Sequence, residues 1–205
     1  MEIRQCFPAA ALDAVTTRWL ATIRHMTEAA SVGGILPTAA EEARFWALIE
    51  TAWTSLGPEP LALRRALIER DPNDDELADR YAIDDCLDPF LDALRGLSEA
   101  LSSEDLVALD RVLERRLHGI DRADIHEVTD GSDDGFLYCR GYIVALGRAF
   151  YDAVTTNPTM AILDAECEAM CYFFAHLHRE RFGTWTDTGS GISRETGDNV
   201  AGWPR

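Results

Sequence analysis

Asp133, Asp134, Tyr138 and Arg140, preceded by Asp124, His126, Glu127 and Asp130, form the densest run of side chains that could do chemistry. Paired carboxylates could share general acid and base work or hold a metal, yet consecutive helical residues point about 100° apart, which suits neither. A structural reading fits better. Ser132 is an N-cap type, and the two aspartates behind it lie against the positive end of the helix dipole. Arg140 could clamp a carboxylate or phosphate bidentately, or pair with an acid on a neighbouring helix, Glu166 or Glu168. In so acidic a chain the internal pair is favoured. His126 beside Ser132 and Asp124 invites a nucleophilic reading, but neither a Gly-x-Ser-x-Gly turn nor a strand precedes Ser132. There is likewise no phosphate loop, dinucleotide fingerprint or His-Glu-x-x-His helix.

Cys167 and Cys171 lie four residues apart on one helical face, a spacing that could give a zinc ion two thiolates. His178 falls roughly 10 Å further along the axis, and His176 and His178 diverge, so no ligand set is complete. The spacing predicts core cysteines, surface histidines, no metal and no cofactor. With Cys6, Cys86 and Cys139 the thiols number five, without a Cys-x-x-Cys pair, which reads as reduced cysteines rather than a disulfide framework.

The element that must position the polar run is a helix over Gly131 to Val154. Phe136, Ile143 and Phe150 recur every seventh residue, with Cys139, Leu146 and Ala153 three places after each, making one apolar stripe with Arg140 on its edge. Gly141 and Gly147 fall inside it, where glycine costs roughly 1 kcal/mol against alanine, and this predicts close approach of a neighbouring helix or a bound group. Ser132-Asp133-Asp134, Phe136, Tyr138, Arg140 and Gly147, together with Phe45-Trp46-Ala47-Leu48-Ile49-Glu50, resemble the two signatures of a bacterial domain-of-unknown-function family, number 4240. The resemblance spans residues 39–183, with Cys139 where the family has Phe and Tyr142 where it has Trp. It implies a helical fold and a bacterial, intracellular origin, and it brings no established activity, cofactor or catalytic residue.

Elsewhere the pattern is also helical. Residues 1–38 read as an N-terminal helical extension and linker, with Leu12, Val15, Trp19, Leu20 and Ile23 at helical spacing and Met26 as a second candidate start. Phe45, Leu48, Ile49, Ala52, Trp53 and Leu56 make one buried face, with Trp46 off it. A short helix opens near Pro60, another at Asp88-Pro89 behind an acidic run from Glu69 to Asp92, and a capping box at Ser102 to Asp105 opens a third. In that third helix Arg111, Glu114, Arg115 and Arg116 are expected to face water. Asn157-Pro158 is expected to cap a long final helix burying Ile162, Leu163, Met170, Phe173, Phe174 and Leu177. Residues 184–205 lack apolar periodicity and read as a flexible tail, dispensable for folding. The fold class is therefore all-α: a compact domain of about six to eight helices over residues 39–183, with that tail.

The 205 residues carry 36 acidic and 19 basic side chains, a formal net charge of −17. That balance repels phosphate backbones and anionic lipid, which removes nucleic acid and membrane from the expected partners. No secretory pattern or membrane-length apolar run is present, so the expected location is the cytoplasm. The first functional expectation is a non-enzymatic protein-binding or regulatory module whose acidic surface attracts a basic protein partner. The alternative is an enzyme whose site gathers Asp133, Asp134, Tyr138, Arg140 and His126. Substrate, partner identity and oligomeric state are not encoded legibly.

Overall fold

The computed structural model describes residues 34–73, 82–129 and 132–204, and these are all-α, with no strand among them. Helix α1 (Ala39–Ser55) starts at a capping box in which the Thr38 side chain accepts from Glu41 N–H. It packs on α3 (Leu87–Ser98) and α4 (Ser103–Gly119). Phe45, Ile49, Ala52 and Trp53 are buried as the spacing requires. Trp46, expected off that face, is buried too, its ring 5.5 Å from that of Tyr151, because a second neighbour covers α1 there. Helix α2 is Pro58–Glu69. Helix α3 is capped by Cys86 rather than Asp88, which lies in the first turn. Ser102 and Asp105 form the expected capping box of α4.

After the short α5 (Ala123–Thr129), Ser132 caps α6 (Asp133–Ala145) by accepting from Gly135 N–H at 3.0 Å. Helix α6 is the centre of the domain: every residue from Gly135 to Ala145 except Tyr138 is buried. The sequence suggests that it runs on to Val154, but the chain breaks at Gly147 and restarts as α7 (Arg148–Thr156). The break has a cause. Two backbone carbonyls at the end of α6 accept from side chains, Ala145 from Trp53 Nε1 at 2.7 Å and Leu146 from Arg64 Nη2 at 2.7 Å. Arg64 in turn pairs with Glu50 at 2.8 Å and lies over the Trp53 ring. Gly147 takes φ +89°, a left-handed value, with Arg64 and Glu50 packed where a side chain would project. Gly141 meets the other expectation: a Cβ there would lie 2.5 Å from the Cys167 carbonyl oxygen and 2.6 Å from Cys171 Sγ.

The long helix expected after Asn157 is replaced by three pieces, a 3₁₀ turn (Pro158–Met160), α8 (Glu168–Cys171) and α9 (Phe173–Phe182). Between the first two, backbone N–H groups bond to neighbouring elements, Asp164 to Thr129 O and Cys167 to Tyr138 O, both at 3.1 Å. Leu163, expected in the core, is exposed.

The largest departure is the C-terminal segment. Residues 184–204 form no α-helix, consistent with their missing periodicity, but they are tied across α4, α6 and α8 by polar contacts, unlike the mobile tail expected. Buried Arg194 pairs with buried Asp110 at 2.8 Å and donates to Cys171 O at 2.6 Å. Thr186 donates to Asp110, Thr188 and Ser190 to Glu114, and Arg111 Nε to Thr188 O. Buried Asp121 accepts from Gly197 N, Asn199 N and Trp203 Nε1 at 2.9 to 3.0 Å. Arg111 and Glu114, expected to face water, thus lie under this strap, and Arg116 pairs with Glu42 at 2.5 Å.

Candidate functional site

The structure does not bring the polar run together. Asp133 and Asp134 are exposed in the first turn of α6, where capping and the dipole account for them. Arg140 is 0% exposed and points inward. It donates to Leu117 O at 3.1 Å, Arg194 O at 2.8 Å and Thr196 Oγ1 at 3.2 Å, with its guanidinium 4.9 Å from the Phe136 ring. The expected acidic partner is therefore corrected: Arg140 is an internal structural group, but it grips carbonyls and a hydroxyl, while Glu166 and Glu168 are exposed. Burial depresses the Arg140 pKa and nearby Asp121 opposes this. His126 lies edge-on to Phe136 at 4.9 Å and 5.3 Å from the Trp203 ring, a packing role, and Asp124 is held by Arg122 at 2.5 Å. Asp130 lies outside the described residues.

Cys139, Cys167 and Cys171 lie in the core as expected, whereas the histidines divide. Cys139, Cys167 and Cys171 are buried, and burial pushes Cys167 up to about 11 and Cys171 up to about 12. Among the described residues no three His, Cys, Asp or Glu side chains are grouped to hold a metal ion. His178, expected at the surface, is buried between Ser103 Oγ and Thr184 O, each at 2.7 Å. His176 is exposed.

His176 belongs to a groove of about 610 Å³ between α3 on one side and α8 and α9 on the other. Its apolar surface comes from Leu91, Ala169, Tyr172 and Phe173. Asp92 and Glu168 flank it, and neither carboxylate has an ion-pair partner within 4.0 Å among the described residues. Arg95, the cation in the lining, is engaged by Glu180 and lies 3.8 Å from Glu99. Tyr138 stands beside this groove: the Glu168 carboxylate, ahead of other causes, raises its phenol pKa. Tyr172 is fixed from behind, its hydroxyl donating to Glu195 at 3.2 Å and the Arg194 guanidinium 5.1 Å over its ring. Burial first, then Glu195, pushes its phenol up to about 12, so it stays protonated and able to donate.

These residues fall under separate expectations in the sequence. Phe173 was expected in the core, His176 at the surface, Asp92 in a solvated acidic run and Glu168 beside Arg140. The available signal was Tyr172 and His176 at i and i+4, an aromatic pair on one helical face. No protein-family model, curated protein or solved structure matches this chain.

Proposed function

We propose that the protein is a non-enzymatic binding module of the bacterial cytoplasm, and that the groove between α3, α8 and α9 receives a basic segment of a protein partner. The observation that carries this reading is an apolar, aromatic groove flanked by two carboxylates, Asp92 and Glu168, neither of which has a basic side chain within 4.0 Å among the described residues. A basic side chain laid there buries its stem on Leu91, Tyr172 and Phe173 and places its charge between the acids. The net charge of −17 adds long-range attraction for such a partner and repulsion for nucleic acid. The resemblance of its signature-like residues to family 4240 supports the bacterial origin in this reading, and Glu50 and Gly147 of those signatures meet at Arg64, a structural contact.

The test is titration of the full chain with a capped hexapeptide of alternating arginine and lysine, at an ionic strength of about 0.15 M. Asp92→Asn with Glu168→Gln should weaken binding about tenfold, whereas Glu127→Gln with Asp152→Asn, removing the same charge elsewhere, should change it less than twofold. Equal weakening by both pairs, or no binding by the parent, overturns the reading.

A further inference from the structure

Resting on the groove reading above, we infer that the groove selects guanidinium groups, preferring arginine to lysine, and that strap residue Trp185 is part of the recognition surface. Tyr172, His176 and Trp185 form a ladder of rings at least partly open to solvent: Tyr172 and His176 are stacked at 6.2 Å with 27° between planes, and His176 and Trp185 lie 5.3 Å apart. The ladder thus runs from the groove onto the C-terminal strap.

The chain itself uses the two outer rings to seat guanidinium groups. Arg194 lies 5.1 Å over Tyr172, and Arg179 lies 4.4 Å over Trp185. Arg194 is buried, so it covers the face of Tyr172 turned to the protein, and the groove meets the remainder of that ring. A guanidinium is planar and weakly hydrated, stacks on aromatic faces and fits carboxylates with two parallel bonds. An ammonium is compact and strongly hydrated, and it gains less from the same surface. Repulsion from the resident arginines is limited, because Arg194 is compensated by Asp110 at 2.8 Å and Arg95 by Glu180.

The experiment compares capped hexa-arginine with capped hexa-lysine, titrated into the full chain and into its Trp185→Ala and His176→Ala variants, with melting curves confirming that each is folded. Both residues are exposed, so both variants are expected to fold. Hexa-arginine should bind about tenfold more tightly than hexa-lysine, and each variant should shrink that ratio to about twofold or less while hexa-lysine affinity barely moves. Equal affinity for the two peptides, with both weakened by Asp92→Asn and Glu168→Gln, overturns the inference and leaves the groove as a site for any basic segment. A preference that survives both variants also overturns it, since the ladder is then not its source. Failure of both peptides to bind removes the groove reading itself.

Discussion

Arg140 shows what a single residue in this chain can and cannot announce. Its place at the edge of an apolar stripe leaves it either a ligand clamp or an internal partner of an acid, and the structure buries it against carbonyls instead. Its partners were illegible, because the Leu117 and Arg194 carbonyls that it grips carry no sequence signature; any residue offers a carbonyl. Replacing Arg140 with Met keeps much of the stem and removes every donor. Two buried carbonyls and the Thr196 hydroxyl then lose their charged partner, and stability should fall by an amount on the order of 3 kcal/mol. A denaturant melt of Arg140→Met matching the parent would show that water or rearrangement satisfies those oxygens. Gly141 and Gly147 were legible in a different way. Both were expected to permit close approach, and they do so by different means, one admitting a neighbouring backbone and the other a left-handed turn beside an ion pair.

At the scale of elements, starts marked by a side-chain cap are legible, whereas Asp88 does not cap α3 and the helix expected to run on to Val154 ends at Ala145. Thr38, Ser102 and Ser132 cap their helices through side-chain oxygens, a local interaction written in adjacent residues. The break after Leu146 depends on Trp53 and Arg64, far away in sequence, capturing the carbonyls that a continued helix would have used. The C-terminal strap was misjudged for a related reason. Apolar periodicity reports attachment by hydrophobic burial, whereas residues 184–204 are held by Asp110, Glu114, Asp121 and Arg140, acids and a base on other elements. Truncation after Gly183 would strip these buried groups of their partners. Breaking buried pairs of this kind costs several kcal/mol, so the melting temperature should drop by about 10 °C or more. Asp121→Asn checks the same attachment without removing chain. An amide has one acceptor oxygen where the carboxylate has two, and three donors converge there, so this variant should also melt lower. A truncated chain melting with the parent would restore the view of residues 184–204 as dispensable.

The whole molecule carries 19 arginines and no lysine against 36 acids, so all the fixed positive charge sits on planar groups that keep their protons at any pH of interest. Many are spent internally: Arg64, Arg111, Arg116, Arg122 and Arg194 all have carboxylates within 4.0 Å. The pH dependence of stability therefore comes mostly from the acids. Backbone N–H from Thr38 holds Glu41 below the usual carboxylate range, Arg44 does the same for Asp105, and Arg122 for Asp124. A carboxylate depressed in the folded state contributes stability above its unfolded pKa and loses it as pH falls through the folded one. His118 acts in the same direction nearer its ordinary value of 6.5, because burial lowers its pKa and protonation then favours the unfolded chain. A net charge of −17 works oppositely, since protonating acids relieves self-repulsion over the same range. Salt separates the two: at about 0.15 M the repulsion between distant exposed charges is largely screened, whereas capping contacts near 3 Å are screened much less. Urea midpoints at that ionic strength should be flat from pH 8 to about 6.5, decline gently to about 4.5 and fall steeply below it. A midpoint that rises as pH is lowered from 6.5 to 4 would mean that relief of repulsion outweighs the caps and ion pairs.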